Sequence, residues 1–188
     1  LCSRDPSTLC ASDLAGATLE SLSENFSDGF VAPLFWYSVL GGSIPAAIGY
    51  RVVNTLDSRI GYHGRYEWYG KASARFDDLI NIIPARITAL LLAAAAAIVH
   101  GGVRSARDGL RTAWKDAAQC DSPNAGLPMA CFAGILGVRL KKEGSYCLGA
   151  SGDNPRPANL RDGYRVALVA GGISVLLSVL LISVSFIV

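Results

Sequence analysis

Histidine, cysteine and charge are all scarce in this chain, and each scarcity removes a class of function. Two histidines and five cysteines, at 2, 10, 120, 131 and 147, form no CxxC and no metal-ligand spacing, so a zinc site or a disulfide framework is not expected. The thiols should be reduced, and any metal should be a hard one held by oxygen. Charged residues make up 17% of the chain, against roughly 25% in ordinary soluble domains. The net charge is +2, with no basic tract interleaved with aromatics, so nucleic acid is not an expected partner. The first residues, LCSRDPSTLC, are no signal peptide; their abrupt start leads us to expect that the chain begins inside something longer.

What is abundant is apolar residues, at 51%, and they are concentrated. Val166 to Val188 carries no charge and would reach roughly 34 Å as a helix, enough for a hydrocarbon core of about 30 Å. A second span is expected at 87–103, with Pro84 in its first turn and Gly101-Gly102 at its end. The apolar stretch 30–53 is broken by Pro33, Gly41-Gly42 and Pro45. The stretch 127–138 is too short to cross and is expected to re-enter or be buried. The predicted fold is therefore all-α: one polytopic helical membrane domain over 1–188, with broken or re-entrant helices and interfacial amphipathic ones. Arg104, Arg107, Arg111 and Lys115 have helical spacing, with Leu110 and Trp114 on another side. That pattern fits a helix on a membrane surface or a plain solvated face. Positive charge lies on both sides of 87–103, leaving topology open.

The polar residues cluster in short motifs beside the apolar segments. Glu20, Glu24 and Asp28 are spaced by four and would form one stripe on a helix. Like charges at that spacing repel by roughly 0.2–0.5 kcal/mol per pair, so the stripe needs solvent, a cationic partner or a metal. Mg²⁺, which takes one or two carboxylates and fills its shell with substrate oxygens, suits acids abutting a membrane segment. Asp77, Asp78 and Asn81 repeat the theme, with Asp77 and Asn81 on one face. Arg75 and Arg86 flank them and would clamp phosphate or carboxylate oxygens, or pair with the two aspartates. GRYEWYGKAS (64–73) is a near miss for a phosphate loop: it has one residue too many, alanine at the hydroxyl position and a bulky interior. Tyr62 to Tyr69 reads instead as an interfacial aromatic loop. SPNAG (122–126) reads as a tight turn in which Asn124 and Gly126 tolerate positive φ.

Together these motifs are similar to those of one family. SRDPSTL, ESLSENFSDGFVAPLF, YRVVNTLDSRIGY, ASARFDDLINIIPARITALLL, SPNAGLPMACFAGILGVRL and YCLG resemble, in order and spacing, the adenosylcobinamide-phosphate synthases of cobalamin biosynthesis, the CobD/CbiB integral membrane proteins. Members of that family usually carry a further N-terminal membrane region. The resemblance implies ATP- and Mg²⁺-dependent amide formation between a corrinoid carboxylate, adenosylcobyric acid, and an amino-alcohol phosphate. It implies a site on the cytoplasmic side of a lipid bilayer, and it leaves self-association open. Carried onto this sequence, Arg4 and Asp5 match a GRDT-like motif, although Ser3 and Pro6 replace its glycine and threonine. Glu20, Glu24, Asn25 and Asp28 match ESxxENxSDG, and Asn54 and Asp57 match NTLD. Arg75, Asp77 and Asp78 match SARxDD, Arg86 matches PAR, and Asn124 matches SPNAG. Chemistry then suggests metal binding for Glu20, Glu24, Asp28, Asp77 and Asp78, and substrate binding for Asn25 and Arg86. Catalytic roles fall to Arg4, Asp5, Asn54, Asp57, Arg75 and Asn124.

Two rivals are set beside this reading. A Mg²⁺-dependent isoprenoid or alcohol-phosphate transferase would use Asp77, Asp78 and Asn81, but should carry a second cluster of the same type. A transporter or assembly subunit should hold charges at mid-span, where the apolar spans have none. One geometric difficulty stands: a single crossing at 87–103 would put NTLDS and SPNAG on opposite faces.

Overall fold

The computed structural model describes residues 9–60 and 67–185. Helices dominate: α1 (Ala11–Phe26), α2 (Ala32–Val39), α3 (Ile44–Ile60), α4 (Glu67–Val99), α5 (Val103–Asp116), α6 (Gly126–Leu136) and α7 (Pro157–Ser185). A two-stranded antiparallel hairpin pairs β1 (Leu140–Lys142) with β2 (Tyr146–Leu148), Leu140 opposite Leu148. The all-α class therefore holds for the bulk of the chain. The hairpin is an addition, made because Leu140 and Leu148 both point into the core (0% exposed) while Lys141 and Lys142 stay in water.

The first helical rod runs on past Asp28-Gly29. α1 passes through a π-helical turn, Ser27–Val31, directly into α2. Pro33 explains the widening. It has no N–H for the Gly29 carbonyl, and its ring would crowd that carbonyl in a regular helix. The Ala32 N–H reaches back instead to the Ser27 carbonyl. The rod stops where Gly41 and Gly42 take φ of +67° and +83°, and α3 starts at Ile44.

α4 is far longer than the expected span. It begins at Glu67, so Pro84 lies in its interior rather than its first turn. A proline there orphans the carbonyl four residues back. Here the Trp36 indole Nε1–H donates to that carbonyl, of Ile80, at 3.2 Å, so α2 repairs the break in α4. The alanine-rich end of α4 is buried: Leu92, Ala95 and Ala96 are fully covered and pack with Cys131, Phe132 and Ala133 of α6 in the main core. α6, the stretch considered for re-entry, is a helix buried in protein on nearly every side. Small residues let α5 and α6 approach closely, since a Cβ on Gly109 would lie 3.0 Å from the Cys131 carbonyl oxygen.

Two helices are long and apolar enough to cross a bilayer, Gly70–Val99 and Pro157–Ser185. α7 buries a narrow stripe, Gly163, Val166, Ala170, Ser174 and Ser178, and exposes Leu168, Leu176, Leu180 and Val184. On α2 it meets Ser38, whose hydroxyl bonds that of Ser178. Ser178→Ala is expected to lower stability by about 1 kcal/mol, measured by thermal unfolding in detergent; Ser183→Ala, whose hydroxyl bonds only its own helix, should not. The four described cysteines, 10, 120, 131 and 147, are free.

Candidate functional site

The polar motifs meet on the first half of α4. The sequence DDLIN presents its two aspartates to opposite neighbours. Asp77 and Asn81, one turn apart, face α3, where the Asn54 amide donates to Asp77 Oδ1 (3.3 Å) and the Asn81 amide to Asp77 Oδ2 (2.9 Å). The Tyr50 hydroxyl closes the network by donating to Asn81 Oδ1 at 2.8 Å. Arg51 ties it to the π turn through Nη1, which donates to the Asp28 carbonyl (3.2 Å) and to Asn54 Oδ1 (3.3 Å). Tyr50 and Asn54, at i and i+4, share one face of α3.

Asp78 faces the other way, into the SPNAG loop. The Asn124 amide donates to the Asp78 carbonyl at 2.7 Å, and the Ser122 hydroxyl donates to Asp78 Oδ1 at 3.3 Å. Arg86 Nη1 donates to Asn124 Oδ1 (3.2 Å) and to the Ile82 carbonyl (2.6 Å). α5 folds back along α4 and delivers residues 122–126 beside Asp78, so NTLDS and SPNAG converge on one segment of α4. The expected conflict between them does not arise. Neither Asn124 nor Gly126 uses positive φ. Gly126 is required for space: a Cβ would sit 2.2 Å from the Ala117 carbonyl oxygen.

The electrostatics are those of crowded acids. Burial, then Glu24 and Asp77, push the Asp28 carboxyl up to about 7. Glu24 is raised by burial, against the opposing pull of Lys142. Its tip reaches solvent, but the surrounding protein still disfavours the charge. Asp57 is raised by burial and then by Asp77 and Asp78. Tyr50 is pushed upward by burial and then by Asp28 and Asp77, so its phenol remains a donor. Cys120, beside Glu20, Asp121 and Glu24, is pushed up to about 11, chiefly by burial, and remains a thiol at neutral pH.

The structure thus gathers Glu24, Asp28, Asn54, Asp57, Asp77, Asp78, Arg86 and Asn124. Glu20 is buried nearby, one turn before Glu24. Asn25 turns away, donating to the Ser21 carbonyl and lining a groove with Leu160 and Tyr164 of α7. Arg75 is exposed and forms no ion pair among the described residues. Arg4, Asp5 and most of the aromatic loop 62–69 lie outside the described residues. Sequence reasoning passed over Tyr50, Arg51, Ser122 and Lys142. The i, i+4 pairing of Tyr50 with Asn54 was the available signal; Lys142 gave none, because only the hairpin carries it to Glu24.

Among the described residues, no three His, Cys, Asp or Glu side chains converge closely enough to hold an ion by themselves. Mg²⁺ does not need three, since water and phosphate oxygens complete its shell. The donors present are all oxygen, and the burial and neighbouring acids that lift Asp28 to about 7 set a charge penalty that a divalent cation would relieve.

A helical protein with two lipid-length apolar helices and an acid–amide network between α3 and the first half of α4 is the class these features define. The chain belongs to the CobD/CbiB family: the model of the CobD/Cbib protein family matches residues 1–181. It is similar to the cobalamin biosynthesis protein CobD of Dehalococcoides mccartyi strain CBDB1, 47% identical over 84% of this chain and 48% of that protein. The CobD proteins of Rhodobacter capsulatus and Mycobacterium tuberculosis are 47% and 42% identical over 94% and 97% of this chain, and 59% of each relative. The chain therefore spans about half the length of the curated relatives it matches. No solved structure matches it.

Proposed function

We propose that this chain carries the acidic half of an adenosylcobinamide-phosphate synthase site, embedded in a membrane and acting in cobalamin biosynthesis. The observation that supports this most is the convergence of Asp28 and Asp77 across the Asn54–Asn81–Tyr50 network. It gathers residues of three of the family-like motifs into one oxygen-rich network. The reaction is an ATP-dependent amide ligation. A corrinoid carboxylate takes the terminal phosphoryl group of ATP, releasing ADP. The amine of the amino-alcohol phosphate then forms the C–N bond, expelling phosphate and losing its proton.

Asp28 and Asp77, with Glu24, would hold Mg²⁺; bound there, the ion neutralises phosphate charge. Asn54 and Asn81 fix the orientation of the Asp77 carboxylate. Tyr50 fixes Asn81, and Arg51 locks the π turn that presents Asp28. Arg86 and Asn124 lie on the SPNAG side of α4, where a guanidinium would meet phosphate or carboxylate oxygens. The exposed apolar face of α7 meets lipid, and the site faces the cytoplasm, where ATP is found. The isoprenoid-transferase reading is disfavoured, because Asp77 and Asp78 point to different neighbours and do not share one diphosphate.

Complementation tests the proposal. A cobalamin-producing bacterium lacking its own family member should regain cobalamin-dependent growth from cobyric acid with the full-length protein, and not with its Asp77→Asn form. Equal rescue by both would refute this placement of the site.

A further inference from the structure

A capacious groove lies away from the acidic network. It measures about 940 Å³ and runs between α5, the end of α6 and the loop 149–153. One wall is α5, where Asp108, Arg111 and Lys115 line the groove. The other is a rigid glycine-rich turn. Gly149 takes φ +64°, and a Cβ there would fall 2.6 Å from the Val138 carbonyl oxygen. Gly152 N–H closes the turn onto the Gly149 carbonyl at 2.8 Å. Asp153 N–H donates to the Gly137 carbonyl, and Arg139 N–H to that of Asp153. The loop is thereby pinned to the end of α6.

The charges in the groove are unequally matched. Asp116 is buried and accepts the Gly149 N–H at 2.9 Å, and Asp108 pairs with Arg104 at 4.0 Å. Asp153 is exposed on the loop wall. Arg111 and Lys115, one turn apart on the same wall, form no ion pair among the described residues. The basic stripe of α5 is thus split by the fold. Arg107 shares its flank with Val103, Leu110 and the almost fully exposed Trp114, while Arg111 and Lys115 turn to the groove.

We infer that this groove is a second binding site, for a phosphate group, with Arg111 and Lys115 as its cationic anchors. Arginine supplies a fork for two phosphate oxygens and lysine a point charge. Because its anchors are two cations with no ion-pair partner among the described residues, it takes phosphate without a divalent ion, unlike the acidic network. That difference lets the two sites fail separately.

The test is calorimetric titration of the detergent-solubilised chain with inorganic pyrophosphate in EDTA. A parallel arm uses short-chain phosphatidylglycerol against phosphatidylcholine, separating a soluble phosphate from a lipid headgroup. Binding in either arm should weaken at least about tenfold in Arg111→Ala/Lys115→Ala, the worth of one charge-assisted bond. It should persist in Arg165→Ala and in Asp77→Asn. No binding of pyrophosphate or phosphatidylglycerol by wild type, or equal binding by the double variant, overturns the inference.

Discussion

Asp28→Asn is expected to abolish product formation, by at least about 100-fold, while making the protein harder to unfold. The loss follows from removing a carboxylate that would hold the Mg²⁺ facing the phosphates, a change worth about 10²–10³ in rate at preorganised electrostatic sites. The gain follows from linkage. The folded protein holds Asp28 near 7, against an ordinary value of 3.8. A raised carboxyl favours the folded state fully at low pH, and that advantage is lost as pH rises through about 7. At pH 8, without divalent ions, ionised Asp28 therefore works against folding, and asparagine removes the penalty. Water reaching the partly exposed carboxylate holds the relief to about 1 kcal/mol, or about 2–4 °C in Tm. The gain should be smaller at pH 5. Mg²⁺ should raise the Tm of wild type at pH 8 and leave the variant unmoved. A variant that unfolds earlier than wild type at pH 8 would mark Asp28 as a structural group.

Gly126→Ala should produce the largest structural effect of any Gly→Ala change among the described residues. The new carbon would lie 2.2 Å from the Ala117 carbonyl oxygen, and backbone, not a flexible side chain, must move. We expect a loss of about 3 kcal/mol, the top of the range for overpacking, or about 6–12 °C in Tm. The displaced loop would carry Asn124 away from Asp78 and Arg86, so activity at permissive temperature should fall as well. Gly172→Ala on α7, where nothing lies within 4 Å, should be neutral or slightly stabilising because alanine favours helix. Equal behaviour of the two variants would contradict the packing account.

Much of the helical layout is legible in the sequence, because hydrophobic runs and glycine breaks are local signals. The turn at Gly41-Gly42 and the stop near Gly101-Gly102 follow from such residues. The long α4 is harder to read. Pro84 suggests a beginning, and only the Trp36 indole, far away in sequence, lets the helix run through it. The same holds for the acids. Spacing puts Asp77 and Asn81 on one face, but nothing local shows that Asp78 belongs to residue 124's loop. That partnership arises from the return of α5 along α4. The stripe of Glu20, Glu24 and Asp28 is interrupted by the π turn, whose cause, Pro33, lies beyond the stripe itself. The β hairpin that brings Lys142 to Glu24 leaves no periodic trace, being only three residues a side.

The most direct measurement is product formation in detergent or liposomes. Adenosylcobyric acid, aminopropanol phosphate, ATP and Mg²⁺ are supplied, and adenosylcobinamide phosphate is followed by mass. This chain and a version extended at its N-terminus are compared, each with its Asp28→Asn counterpart. The account predicts product from the extended protein that requires Mg²⁺ and Asp28. Product that forms equally well without either, or none from any version, would contradict it.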